Sequence, residues 1–170
     1  KVSPPQRNVA NPAHIDWRER KAVTAVWNEG ECGSTWSFPI LDNIAALWYL
    51  AGKTGTVTQL SAQEIVSCDT TDQGCHGGLP ANALKYIVDN LHGEILTNES
   101  FPYASGMGVV PACRKTGTVG AKITGWSSVD NSEQAFADYV GSVAPLPIAI
   151  DADNLQTYVS GVLQGSQCTS

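Results

Sequence analysis

Between residues 34 and 51 the apolar side chains of Phe38, Leu41, Ile44, Ala45, Trp48 and Ala51 recur at the spacing of one helix face. Gly52 follows as a terminator. Pro39 fits a helix only within its first turn, where a missing N–H costs nothing. The helix is therefore expected to begin at Ser34 or Thr35, which would put Thr35 beside the positive end of the helix dipole. Ser61-Ala62-Gln63-Glu64 has the capping-box pattern and, with Ile65 and Val66, predicts a short second helix. Residues 79–91 predict a third, with Leu84, Ile87, Val88 and Leu91 on one face and Gly93 beyond it. The intervening D-T-T-D-Q-G-C-H-G-G reads as a turn-rich loop.

The pattern changes after Gly120. Residues 121–126 (A-K-I-T-G-W) and 146–150 (L-P-I-A-I) read as strands. Residues 131–143 predict a helix between them, with Phe136, Val140 and Val143 inward; 158–163 is a weaker strand candidate. A helical first part followed by the beginning of a sheet makes the fold class α+β. Residues 1–13, carrying Pro4, Pro5 and Pro12, are expected to form an extended leader, the remnant of a precursor segment. No internal repeat or low-complexity stretch interrupts the chain.

Composition narrows the function. With 42% hydrophobic and 15% charged residues the 170-residue chain is globular in type. Its ten basic residues are scattered and its net charge is -6, so it lacks the clustered cations that displace counterions from nucleic acid. No apolar run approaches the roughly 20 residues that span a bilayer, and no basic start with an apolar core marks a signal peptide. Neither a nucleic-acid nor a membrane partner is expected.

Cys32, Cys68, Cys75, Cys113 and Cys168 are odd in number. In a secretory protein four would pair and one would be left over; in a cytosolic one all five would be buried thiols. Asn98-Glu99-Ser100 is an N-glycosylation sequon, a short pattern that also arises by chance. Together the two features favour the secretory route. The histidines His14, His76 and His92 have no metal-ligand spacing with a cysteine, so no metal or other cofactor is expected.

A set of short motifs occurs in order along the chain: Asp16-Trp17-Arg18, Ala22-Val23-Thr24, Gly30-x-Cys32-Gly33-Ser34-x-Trp36-x-Phe38, Leu60-Ser61-x-Gln63-Glu64, Ser67-Cys68-Asp69, Gly74-Cys75-x-Gly77-Gly78 and Pro102-Tyr103. Their order and spacing resemble the papain-like cysteine proteases, and most of all the cathepsin L-like branch with its trypanosomatid enzymes. The resemblance implies a helical left lobe over 14–126 and a β-barrel-type right lobe, of which 127–170 would be a part, meeting at a cleft. It implies a peptide or protein substrate, cystatin-type inhibitors as possible partners, and a lysosomal or extracellular location. It pairs Cys32 with Cys75 and Cys68 with Cys113, each bridge worth about 3–4 kcal/mol by loop closure. Gly77 and Gly78 would present backbone to an extended substrate. Leu79, Pro80 and Ala149 would line the pocket for its second residue.

Against that family pattern the catalytic positions are altered. Thr35 stands where the nucleophilic cysteine belongs, and a threonine hydroxyl needs a strong local base that an internal residue does not supply for itself. The plainer reading of Thr35 is a helix-start residue capping free N–H groups. Glu29 stands where a glutamine would donate to the oxyanion; a carboxylate cannot donate, and the plainer reading is a solvated acid. Cys168 matches a cysteine shortly before the family's histidine; that histidine and the asparagine do not occur in these 170 residues. His14, His76 and His92 are expected at the surface or at a helix end, not as substitutes. The resemblance thus implies a cysteine endopeptidase by descent, inactive as written: a pseudoenzyme. Two alternatives stand beside it: a protease-like module that binds peptides or inhibitors without cutting, and a gene remnant without activity.

Overall fold

The first helix begins later than its periodicity predicts. In this computed structural model, which describes residues 11–150, 152 and 155–161, α1 spans Phe38–Leu50 with Ser37 as its N-cap and Pro39 in its first turn. Residues 35–37 form a turn instead, because the Ser37 amide and hydroxyl both donate to the Ser34 carbonyl, at 3.0 and 2.9 Å. α1 buries Phe38, Leu41, Ile44 and Ala45, as the spacing predicts, and Ile40 and Ala46 besides, whereas Trp48 is only half-buried and Ala51 lies exposed beyond the helix end.

α2 (Ala62–Cys68) realises half of the expected capping box. The Ser61 hydroxyl accepts the Glu64 N–H at 3.0 Å. The Glu64 carboxylate does not return to Ser61; its Oε2 accepts the Leu96 amide at 2.8 Å. The Ser61 amide in turn donates to the Leu96 carbonyl at 2.8 Å. A motif that usually closes on itself here staples a helix start to a strand.

α3 (Pro80–Asn90) carries Ala83, Tyr86 and Ile87 inward. Gly93 then turns the chain into β1 (Glu94–Leu96), which pairs antiparallel with β2 (Val119–Lys122), Ile95 facing Ala121. Gly93 sits at φ +80°, and a Cβ there would lie 1.8 Å from the Ile123 carbonyl oxygen, so only glycine lets these backbones meet. β2 was expected at 121–126; its actual register is set by β1, a strand too short to show a period in the sequence. The core between α1, α2, α3 and this ribbon is built from Leu41, Ile44, Leu60, Ile65, Ile87 and Ile95.

α4 (Glu133–Ser142) occupies the predicted stretch, but none of its side chains is fully buried. Phe136, Val140 and Val143 are half-buried rather than inward. The helix is seated by polar contacts: Asn11 Nδ2 donates to Asp138 at 2.7 Å, Trp17 Nε1 to the Val140 carbonyl at 2.9 Å, and Asn43 Nδ2 to the Tyr139 hydroxyl at 3.2 Å. Residues 146–150 are not a strand; Ile148 and Ile150 are about three-fifths exposed. A strand needs a neighbour to take its N–H groups, and no described residue pairs with this segment. Residues 158–161 are likewise irregular. The first ten residues of the expected leader, and Cys168, lie outside the described residues.

Candidate active site

Two disulfides build the frame. Cys32 is joined to Cys75 and Cys68 to Cys113, with Cα atoms 4.4 and 4.8 Å apart. The first ties residues 28–38 to the glycine-rich turn around a short 3₁₀ helix, Gly74–His76. The Gly33 amide donates to the Cys75 carbonyl at 2.9 Å and Trp36 Nε1 to the Gly74 carbonyl at 3.1 Å, so this segment is pinned on both sides of Ser34.

Within the frame Thr35 is exposed, between buried Ser34 and buried Trp36. Its hydroxyl makes no hydrogen bond among the described residues, and it caps nothing, since α1 starts three positions on. The capping reading of Thr35 is therefore corrected. The cause is the tight 34–37 turn, which consumes the carbonyl and amide groups that a longer helix would have used.

Glu29 is no solvated acid. Its Oε2 accepts the Ser34 amide at 2.7 Å, and its main-chain carbonyl accepts the Tyr103 hydroxyl at 2.9 Å. The Ser34 hydroxyl meets Tyr103 Oη at 2.7 Å, closing a small polar ring around the buried serine. Burial pushes the Tyr103 phenol up, the Glu29 charge adds to that, and the Ser34 bond opposes it. Tyr103 also stacks edge-on against Phe38, with ring centroids 5.1 Å apart. A carboxylate in this place receives an N–H; it cannot offer one to a developing oxyanion.

In the groove segment 77–79, Gly78 rests on Trp36. A Cβ at Gly78 would lie 2.6 Å from the Trp36 ring and 2.8 Å from Asp72 Cγ, so the backbone runs closer to both than any side chain permits. Leu79 is 61% exposed, and Pro80 and Ala149 are exposed as well. His14, His76 and His92 are exposed, and none hydrogen-bonds to Thr35 or Glu29 through its ring. Among the described residues no group of three or more His, Cys, Asp or Glu could hold a metal ion. Asn98 is half-buried, its Oδ1 accepting the Tyr103 amide at 3.2 Å.

Sequence reasoning quoted Gln63 as part of a motif without finding its role. Fully buried, it accepts the Ala104 and Ser105 amides at 2.7 and 3.0 Å and donates to the Ser67 and Ser105 hydroxyls. It fixes the segment that carries Tyr103. Its place directly before the capping Glu64 was the only signal. A second feature went unread: a cleft of about 370 Å³ between α1 and residues 145–147, lined by Trp27, Phe38, Pro39 and Asp42 among others. Burial raises the Asp42 carboxyl there, while Thr24 and Trp27 donate to its Oδ1 at 2.7 and 3.2 Å.

Comparison with known proteins bears on this geometry. The family model of papain family cysteine proteases matches residues 11–170. A cysteine proteinase of Trypanosoma brucei brucei is 44% identical over 94% of this chain, which covers 35% of that protein. Cysteine proteinase A of Leishmania mexicana is 42% identical over 88% of the chain, covering 42% of its length. Cathepsin L1 of Drosophila melanogaster is 38% identical over 95% of the chain, covering 43% of its length. In structure, the chain resembles the crystallised proform of the Amb a 11 cysteine protease, a major ragweed pollen allergen. That match has a TM-score of 0.67 and 37% identity over 79% of this chain and 41% of the other. The chain therefore spans less than half the length of these relatives, and the four α-helices and small sheet among its described residues form part of the same α+β fold.

Proposed function

The chain belongs to the papain family of cysteine proteases, and on that premise we propose that these residues form a cathepsin L-like left lobe and part of a right lobe, and that the protein does not perform thiol chemistry. The observation that carries the proposal is Thr35: exposed at the nucleophile position, with no base within hydrogen-bonding distance among the described residues. The nearby Glu29 carboxylate cannot serve, because it is directed at the Ser34 amide. A threonine hydroxyl is far harder to ionise than a cysteine thiol and is weakly nucleophilic unless a strong base takes its proton. The relatives' names describe proteinases; for this chain a peptide or protein is the ligand class, held rather than cut.

A cysteine placed at this position reports its surroundings directly. In Thr35→Cys the alkylation rate with iodoacetamide should rise with pH through about 8.5, as for an ordinary thiol. A rate already at its plateau near pH 5 would reveal a thiolate stabilised by a cationic partner, and the site would be competent.

A peptide-holding role draws support from Gly78, whose backbone is kept close against Trp36, and from Gly77 beside it, where a Cβ would meet open space. The disulfides fit an oxidising compartment, lysosomal or extracellular. No helix among the described residues is long and apolar enough to cross a membrane. In that compartment Asn98 is a candidate acceptor for N-linked glycan, since its Nδ2 makes no hydrogen bond and belongs to a half-exposed residue. Protein made in a eukaryotic secretory host should lose mass on treatment with an N-glycanase, and Asn98→Gln should remove that shift; an unchanged mass in the wild type refutes the assignment.

A further inference from the structure

The cleft between α1 and residues 145–147 is not used by the site chemistry, and none of Thr35, Gly78 and Leu79 lines it. Its one charged lining group is Asp42 of α1. Asp42 Oδ1 is satisfied, since the Thr24 hydroxyl donates to it at 2.7 Å and Trp27 Nε1 at 3.2 Å. Oδ2 has no hydrogen-bond partner among the described residues. Neither has Asn43 Oδ1, whose Nδ2 is committed to the Tyr139 hydroxyl at 3.2 Å and the Pro145 carbonyl at 2.7 Å. Both spare oxygens sit on half-buried residues and are not sealed from solvent; the sealed side-chain atoms without a partner among the described residues are those of Asp69 and Asp72.

Donors are spent where acceptors are spare. The side chains on the lining that carry an N–H or O–H are Thr24, Trp27 and Asn43, and each already donates within the protein. Pro39, Pro145 and Pro147 bring no N–H at all. No lysine, arginine or histidine lines the cleft, and no ion pair among the described residues includes Asp42. Trp27 and Phe38 supply an aromatic side, with ring centroids 5.1 Å apart. The walls therefore hold a negative charge and unpaired acceptors, and no free side-chain donor.

We propose that this cleft binds a small primary amine, with its ammonium group paired to Asp42 and its apolar stem against Trp27 and Phe38. An ammonium carries three donors and no acceptor, the complement of what the walls leave unpaired. Carboxylates and phosphates are refused by the same groups. The volume of about 370 Å³ lies at the small end of the range for ligand sites, roughly 300–1,000 Å³, and so suits a small molecule. Burial raises the Asp42 carboxyl, and the Thr24 and Trp27 bonds oppose the rise with no cation to help them. A bound ammonium supplies that charge. The opposite wall is already in place, because the Asn43 bond to the Pro145 carbonyl ties it to α1. The inference is independent of how Thr35 and the groove segment 77–79 are read.

The Trp27 indole N–H donates to the same carboxylate, so it reports occupancy. Indole ¹⁵N–¹H spectra of the protein, titrated with n-pentylamine at pH 7 where an alkylamine is charged, test the site. The Trp27 signal should shift and saturate at millimolar amine. The Trp17 and Trp36 indoles, which donate to the Val140 and Gly74 carbonyls outside the cleft, should stay still. n-Pentanol has the same stem without the charge and should bind about tenfold more weakly or worse. Asp42→Asn keeps an acceptor for Thr24 and Trp27 but not the charge, and should bring the amine down to the level of the alcohol. An unmoved Trp27 signal overturns the site, and so does one that moves only together with Trp17 and Trp36. Equal affinity for amine and alcohol in the unsubstituted protein overturns the charge recognition, whether or not Asp42→Asn folds. A response to a lysine-containing peptide but not to pentylamine overturns the small-molecule ligand in favour of a contact with another protein.

Discussion

Replacing Cys68 and Cys113 together by alanine should lower the unfolding free energy by about 4 kcal/mol, and so should replacing Cys32 and Cys75. The bridges close loops of sequence separation 45 and 43. Loop-closure entropy grows only with the logarithm of loop size, so nearly equal loops give nearly equal stabilisation. A domain of this size is stable by only about 5–15 kcal/mol in total. Loss of both bridges therefore removes most of that margin, and the doubly substituted protein should be largely unfolded at 37 °C. Urea unfolding with and without a thiol reductant measures the effect. A reduced protein as resistant as the oxidised one would mean that the α1–α2–α3 core stands by itself.

Stability should also fall as pH rises from about 4.5 to about 7, through Glu64. This residue is 3% exposed, and burial pushes its carboxyl up to about 7; the Leu96 amide and the Lys115 charge oppose the rise without cancelling it. A group whose native pKa exceeds its unfolded value leaves stability complete below the unfolded value. That stability is then lost as pH climbs to the native one. The loss is of order 3 kcal/mol. Glu64→Gln keeps an acceptor for the Leu96 amide but cannot ionise. The gap between its midpoint and that of the wild type should therefore change across this window and flatten outside it. Parallel midpoints from pH 4.5 to 7 would show that Glu64 ionises normally despite its burial.

The sequence and the structure agree where packing alone decides. α1 and α3 follow a stripe of apolar residues, and part of that stripe is what they bury: Phe38, Leu41, Ile44 and Ala45 in α1 and Ile87 in α3, with Leu91 just beyond it. Trp48, Leu84 and Val88 are half-buried, and Ala83 and Tyr86 take the inward places in α3. Agreement fails where hydrogen bonds between distant segments decide. Nothing near Ser61 tells that Glu64 would reach for Leu96 rather than close its own capping box. Nothing near Thr35 tells that Ser37 would spend the Ser34 carbonyl and delay the helix. β1 was invisible because three residues carry no period, and 146–150 was read as a strand because its apolar content is visible while its lack of a partner is not. At the site, residue identity was legible and residue role was not. Thr35 and Glu29 were singled out from their places in a motif, yet the engagement of Glu29 with Ser34, and the idle hydroxyl of Thr35, appear only in three dimensions.

Those two residues carry the central proposal, that the papain-family frame of this chain surrounds a nucleophile position without thiol chemistry. The direct test is hydrolysis of a fluorogenic peptide with a hydrophobic residue two positions before the scissile bond, by the protein and by its Thr35→Ala variant. Both should release fluorophore no faster than buffer, with or without a thiol reductant. Turnover by the protein that disappears in Thr35→Ala would show that the threonine is a working nucleophile and contradict the account.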